Sequence, residues 1–247
     1  MKAMILAAGF GTRLKPLTDS IPKAMVPLAG KPLIHHTINK LKSVGVTQII
    51  INVHHFARSI IEYVESSGDF SVQIAFSREE ALLDTGGGLK NASWFFNDNQ
   101  PFILHNVDVL SDIDLLAMLN YHREKRSLAT LAVRQRSTSR YLLFDQETRL
   151  VGWQSLETGE KEVVASLSNE PEKLSFLGIH IVSPEIFTLL PEKRIFSIVK
   201  AYVEIAKQDQ RIFGYKNNED FWIDLGRQEH LKIAEEYLTA KSAKRNP

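Results

Sequence analysis

The stretch MILAAGFGTRLKPLTDSIPKAMVP, residues 4–27, runs an apolar segment into Gly9-Phe10-Gly11-Thr12-Arg13 and then into basic residues and prolines. Glycines let a backbone turn sharply and bring bare N–H groups against an anion. Arg13 adds a planar fork of donors suited to phosphate oxygens. Lys23 follows Pro22, so its ammonium is expected to be aimed from a stiff, extended segment. Such a loop suits the handling of phosphate groups, and a plain tight turn is the competing reading. Two other phosphate loops do not match. GxxxxGK[ST] is absent, and the dinucleotide fingerprint GxGxxG would put a small residue where Leu14 stands. That fingerprint also wants an acid after the second strand, where the sequence reads Asn52-Val53-His54-His55. A nicotinamide-dependent oxidoreductase is therefore disfavoured.

Other reactive residue types offer less. The chain has no cysteine, which removes disulfides, thiolate nucleophiles and Cys-type zinc sites and fits a reducing compartment. His35-His36 and His54-His55 are adjacent pairs, and neighbours on a helix or strand point in different directions. Neither pair has chelating i,i+4 spacing, so structural or solvated roles are expected. His105 is expected in the core. Trp94-Phe95-Phe96 reads as the buried end of a helix.

The elements that must position the loop alternate. Strands are expected at Met4–Ala8, Gln48–Val53, Val72–Phe76, Phe102–His105 and Leu128–Val133. Helices are expected at Leu33–Val44, Phe56–Val64 and Gly87–Phe96, with another marked by Ile113, Leu116 and Leu119. This order predicts an α/β fold, a Rossmann-like mixed, mostly parallel sheet with helices on both faces. In such sheets ligands sit beyond the carboxyl ends of the strands, where the glycine loop lies. After Arg134 the pattern loosens into strands at Tyr141–Phe144, Leu150–Trp153 and Phe176–Val182. A small β-rich insertion at about 134–183, within a single domain over 1–247, is the expectation. Helices return at Phe196–Lys207 and from Arg227 onward, flanking a strand at Phe221–Leu225. The basic tail with Lys241, Lys244 and Arg245 is expected to fray.

With 247 residues, 44% apolar and 24% charged, the chain can build a full core. A formal net charge of +1 argues against a bulk nucleic-acid binder. No stretch approaches a membrane helix, and the short N-terminal apolar run reads as a strand rather than a signal peptide. A cytoplasmic protein, acting as a monomer or small homo-oligomer, is the default.

Taken as a whole, LAAGFGTRLKPLTDSIPKAMVPLAGKPLI resembles the G-x-G-T-R…P-K signature of the sugar-1-phosphate nucleotidyltransferases. DTGGGLK (84–90), HNVDVL (105–110) and WIDLG (222–226) agree with it, so the resemblance covers nearly the whole chain. It implies the nucleotide-diphospho-sugar transferase fold and two partners, a nucleoside triphosphate and a sugar 1-phosphate. Arg13 and Lys23 then neutralise phosphates. Leu6, Ala7, Ala8, Gly9, Gly11 and Thr12 hold the triphosphate with Arg13, and Asp84, Thr85, Gly86, Gly87 and Asn106 complete the nucleotide site. Asp108 and Asp224 hold Mg²⁺, which suits an ion that prefers few protein oxygens. Read on their own, Asp108 could instead cap the helix beginning near Ser111 and Asp224 could pair with a core cation. Tyr141, Trp153 and Gly178 are carried to the sugar.

Among the branches, the sequence looks most like short bacterial N-acetylmuramate α-1-phosphate uridylyltransferases, with mannose-1-phosphate guanylyltransferases as the rival. The β-helix domain of longer relatives is expected to be absent. Departures from the pattern are Val107 before the first metal aspartate, Leu142 after Tyr141, Arg227 after Leu225-Gly226, and an unrecognisable E-K-P segment. A non-catalytic sugar-nucleotide sensor on the same fold is the alternative to an enzyme.

Overall fold

Lys2–Leu6 (β1) is buried almost throughout, as a strand covered on both faces of a parallel sheet must be. The computed structural model describes residues 1–67, 70–164, 169–208 and 210–245. After β1 come a two-residue ribbon, Pro27–Leu28 (β2) with Lys31–Pro32 (β3), then Leu33–Ser43 (α1) and Gln48–Val53 (β4). Ala57–Ser66 (α2), Gln73–Arg78 (β5), Asp84–Asn91 (α3) and Phe102–Asn106 (β6) complete the alternating half. Val109–Ser111 (β7), Leu115–Glu124 (α4) and Ala129–Arg134 (β8) follow. Next are Arg140–Phe144 (β9), Leu150–Ser155 (β10), Lys161–Val163 (β11) and Glu172–Val182 (β12). Ile198–Ala206 (α5), Ile212–Lys216 (β13), Trp222–Asp224 (β14) and Gln228–Arg245 (α6) end the chain.

One mixed sheet organises the fold. Strands β5, β4, β1 and β6 are parallel neighbours in that order, and β12 joins β6 antiparallel. On its other edge β12 carries β8, with β13 parallel beyond it, while its first residues pair with β9. The meander β9-β10-β11 thus extends the main sheet through one long strand.

Helices cover both faces, each over its own core. Leu33, Ile34, Ile38 and Leu41 of α1, Ile60 and Val64 of α2, Met118 of α4 and Ala234 of α6 pack against Ile5, Ile49 and Ile103. On the opposite face Leu89 of α3 and Ile198, Ala201, Tyr202 and Ile205 of α5 meet Met4, Ile50, Leu104 and Leu131. Successive strand residues point to opposite faces, so the alternation Met4/Ile5 and Ile49/Ile50 sorts them into two cores.

Several expectations change. β1 ends at Leu6, so Ala7 and Ala8 begin the loop. α3 starts at Asp84 and stops at Asn91, and a 3-10 turn, Ser93–Phe95, follows. Phe96 is buried and stacks on Phe102 at 3.7 Å, but Trp94 is 60% exposed, so the aromatic trio is not a buried helix end. Asp114 caps α4, accepting from the amides of Leu116 (2.9 Å) and Ala117 (3.0 Å), which removes that role from Asp108. The C-terminal segment is helical to Arg245, and Lys241 is tied to the Asp112 carboxylate rather than frayed.

Candidate active site

Beyond the end of β1 the chain turns back on itself. Ala7 donates its amide to Asn52 Oδ1 (2.7 Å), and Gly11 adopts φ +66°, the left-handed region that glycine enters without strain. A Cβ on Gly11 would meet Thr18 Cγ2 at 2.9 Å and Lys23 Cβ at 3.0 Å, so the missing side chain lets the loop close over Lys23. Thr18 locks this turn by donating to the Gly11 carbonyl (2.9 Å). Gly9 differs: nothing lies within 4 Å of its Cβ position, so packing does not require glycine there. It borders a cavity of about 260 Å³ instead.

That cavity gathers Leu6, Ala7, Ala8, Gly9, Lys23, Asp84, Thr85, Asn106 and Asp108 from the expected set. Val107, marked in the sequence only as a departure, lines it too, as do Asn52 and Leu82, which the sequence did not assign to the site. Asn52 is held by Glu79, a buried carboxylate that accepts from Asn52 Nδ2 (2.7 Å) and the Leu83 amide (2.9 Å). A Cβ on Gly88 would lie 2.7 Å from both Asn52 Nδ2 and Glu79 Oε1. Val107 does not crowd its turn: its side chain enters the core, its amide donates to Leu6 O (3.1 Å), and its carbonyl accepts from Thr37 (3.2 Å).

Gly86 and Gly87 have a different setting from the one expected. They lie inside α3, outside the lining of this cavity, and their amides donate to the Phe196 carbonyl at 2.9 and 3.2 Å. A Cβ on Gly86 would meet the Phe196 ring at 2.3 Å, and one on Gly87 the Arg194 carbonyl at 2.1 Å. The glycines let the helix press against the segment leading into α5, and Thr85 Oγ1 accepts the Ile198 amide there (3.0 Å).

The charged residues converge next to the cavity. Asp108 sits in the turn between β6 and β7, and β7 pairs antiparallel with β14, placing Asp224 opposite Val109. The Leu225 amide donates to the Asp108 carbonyl at 2.7 Å, which fixes the two aspartates side by side. Lys23 places its ammonium on the Asp108 carboxylate. It does so from the first residue of a 3-10 turn, Lys23–Met25; only Pro22 is extended. Arg13 Nη2 reaches Asp224 Oδ1 at 3.6 Å, and that oxygen also accepts the Gly226 amide at 2.8 Å. A Cβ on Gly226 would stand 2.6 Å from both partners, so this glycine permits their approach. Thr12 opens the short turn that carries Arg13. Arg227 is exposed and pairs with Glu229 at 3.5 Å.

The donor set suits a hard divalent cation. Asp108 and Asp224 offer oxygen ligands only, and a site with few carboxylates leaves room for waters and substrate phosphates, as Mg²⁺ prefers. Among the described residues no group of three or more histidine or acidic side chains could enclose a metal by itself.

A second cavity of about 550 Å³ opens on the other side of Asn106. Tyr141, Trp153 and Gly178 all line it, together with Leu142, Arg136, Ser175, Trp222 and Asp224. Gly178 lies in an irregular stretch of β12 at φ +76°, and a Cβ there would be 2.8 Å from Asn106 Nδ2. Asn106 thus borders both chambers, and each chamber holds one of the two aspartates.

Among the described residues no histidine lines either chamber, although His230 Nδ1 meets the Asp224 carbonyl (2.5 Å) and His105 Nδ1 the Asn106 carbonyl (2.7 Å). His36 bonds to the Leu28 carbonyl, His54 to the Glu79 carbonyl and His35 to Tyr63. His105 and His180 are buried, and loss of hydration lowers their pKa values to about 4 and about 3. Among the described residues no helix is long and apolar enough to cross a membrane.

Comparison with known proteins follows the same lines. The sequence model described as Nucleotidyl transferase matches residues 2–241. The chain is 32% identical to a UTP–glucose-1-phosphate uridylyltransferase of Synechocystis, over 92% of this chain and 60% of that protein. It is 30% identical to the mannose-1-phosphate guanyltransferase of Saccharomyces cerevisiae, over all of this chain and 67% of that one. An N-acetylmuramate alpha-1-phosphate uridylyltransferase of Neisseria meningitidis serogroup B is 32% identical, over 95% of this chain and 97% of that protein. In fold the chain resembles HddC from Yersinia pseudotuberculosis complexed with GMP-PN, with a TM-score of 0.76, 23% identity and coverage of 96% and 99%. It also resembles a UDP-glucose pyrophosphorylase complexed with UDP-glucose, with a TM-score of 0.75, 20% identity and coverage of 97% and 98%. The match over almost its whole length places this chain in the nucleotidyl transferase family.

Proposed function

We propose that the protein is a sugar-1-phosphate nucleotidyltransferase, joining a nucleoside triphosphate and a sugar 1-phosphate into a nucleotide-sugar with release of pyrophosphate. The observation that carries this reading is the junction at Asn106, where two chambers meet beside Asp108, Asp224, Lys23 and Arg13. A phosphate oxygen of the sugar 1-phosphate attacks the α-phosphorus in line, and the bond from that phosphorus to the β-phosphate oxygen breaks. The nucleophile is already an anion, so no general base is needed. The work left for the protein is to hold two polyanions together and offset their repulsion.

Each residue then has a task. The bare backbone at Ala8–Gly9 admits the triphosphate, and Leu6, Ala7, Asp84, Thr85 and Asn106 shape its chamber. Lys23 and Arg13 draw phosphate charge toward the junction, while Tyr141, Trp153 and Gly178 bound the sugar chamber. Asp108 and Asp224 would hold Mg²⁺, which supplies charge neutralisation for the transferring phosphoryl group.

For the substrate pair we favour UTP with N-acetylmuramic acid 1-phosphate. Supporting this choice, the Neisseria uridylyltransferase is 32% identical over 95% of this chain. The second reading, GTP with mannose 1-phosphate, draws on the yeast guanyltransferase. Pyrophosphate release over a matrix of nucleoside triphosphates and sugar 1-phosphates, with Mg²⁺, tests both. UTP with N-acetylmuramic acid 1-phosphate is expected to turn over best; turnover with no pair would refute the enzyme itself.

A further inference from the structure

Arg136 lies two residues beyond β8, in the wall of the larger chamber that also contains Asp224. Its Nε donates to Ser175 Oγ at 2.8 Å, and Ser175 is fully buried on β12. Its guanidinium carbon lies 4.8 Å from the centre of the Trp222 ring. Trp222 is itself fixed, donating Nε1–H to the Leu177 carbonyl at 2.8 Å. The guanidinium is therefore clamped from one edge and one face, and among the described residues its terminal nitrogens have no hydrogen-bond or ion-pair partner.

Other cations nearby are already engaged. Lys23 is bound to Asp108, Arg13 reaches Asp224, and Arg140 pairs with Glu157 at 3.4 Å near the solvent. Lys200 lies over the Trp153 ring, 5.8 Å from its centre. Burial lowers the Arg136 pKa from its ordinary value, with the charge of Asp224 acting in the opposite sense. A partly desolvated guanidinium without a carboxylate partner favours an incoming anion, and its fixed fork loses little freedom on binding one. In this chamber that anion must also approach Asp224, a like charge that a nearby cation has to offset.

We propose that Arg136 anchors the phosphate group of the sugar 1-phosphate, its terminal N–H groups donating to phosphate oxygens in the larger chamber. This inference rests on the function proposed above and names a binding residue that neither motif nor spacing marks in the sequence.

Initial rates with the best substrate pair give the first test. Arg136→Ala is expected to raise KM for the sugar 1-phosphate about 10- to 100-fold, the usual worth of a charge-assisted contact, and to leave KM for the triphosphate unchanged. Arg136→Lys should recover part of the loss, and thermal unfolding of each variant checks that the fold persists. An unchanged KM for the sugar 1-phosphate, or an equal rise for both substrates, overturns the proposal while leaving the enzyme class standing. Calorimetric titration with the sugar 1-phosphates of the same panel and their phosphate-free sugars decides the matter even without turnover. Wild type should bind a phosphorylated sugar and Arg136→Gln should lose that preference. Equal preference in both proteins, or no binding to wild type, overturns it.

Discussion

The amide of Leu225 donates to the carbonyl of Asp108 at 2.7 Å, tying the chain beside one acid to the other acid's own backbone. Two carboxylates distant in sequence thereby flank one junction, with β7 and β14 as the clasp. Replacing either acid by its amide keeps the shape and removes the charge. Asp108→Asn and Asp224→Asn should each lower kcat by about 10²- to 10³-fold, measured as pyrophosphate release with Mg²⁺ titrated. The unfolding midpoint of Asp224→Asn should stay near that of wild type, whereas Asp108→Asn strands the Lys23 ammonium and should lower it.

Lys23 and Asp108 are both largely buried, so removing one charge strands the other. Lys23→Met should cost about 3 kcal/mol of stability and abolish most turnover. Adding Asp108→Asn should restore much of the stability and none of the activity. Urea denaturation of the two single variants and the double variant closes the cycle.

Gly87 supplies a prediction about shape alone. A methyl group there would lie 2.1 Å from the Arg194 carbonyl, a backbone atom that cannot swing aside. Gly87→Ala should destabilise the protein by about 3 kcal/mol, read from the urea midpoint. The same change at Gly9, with open space around it, should leave stability nearly unchanged and weaken triphosphate binding, read by calorimetry.

Acid should unfold the protein through its buried histidines. His105 and His122 are held near pKa 4 and His180 near 3, in each case chiefly by desolvation, against an ordinary value of 6.5. The unfolded chain therefore binds more protons than the folded one over this range, and stability falls as pH drops. The full contribution is present above about pH 6.5 and is lost progressively down to about pH 4 for His105 and His122 and about pH 3 for His180, at about 1.4 kcal/mol per pH unit for each group. Urea midpoints between pH 7 and 4 check this, and His122→Asn should flatten the slope.

Much of this arrangement was legible in the sequence because apolar periodicity reports burial. Gln48–Val53 reads as a strand from its β-branched run, and Leu33, Ile34, Ile38 and Leu41 mark one helix face. What escaped was decided by distant partners. Val109–Ser111 is too short to announce itself and becomes a strand only against Trp222–Asp224. The helix expected from Gly87 begins instead at Asp84, and its glycines at 86 and 87 leave space that the chain before α5 fills. Trp94 looks like core by type but faces solvent. The Asn52–Glu79 pair under the smaller chamber and the Ser175–Arg136–Trp222 clamp join residues far apart in the chain, and no local pattern encodes them.

The β7–β14 clasp also has a consequence for synthesis. A ribosome-bound chain that has emerged only as far as Asp220 already contains every strand of the main sheet and the lining of the smaller chamber. It still lacks Asp224, so its active centre holds a single acid. On the function proposed above, the pair of acids is completed only when β14 has emerged and paired with β7.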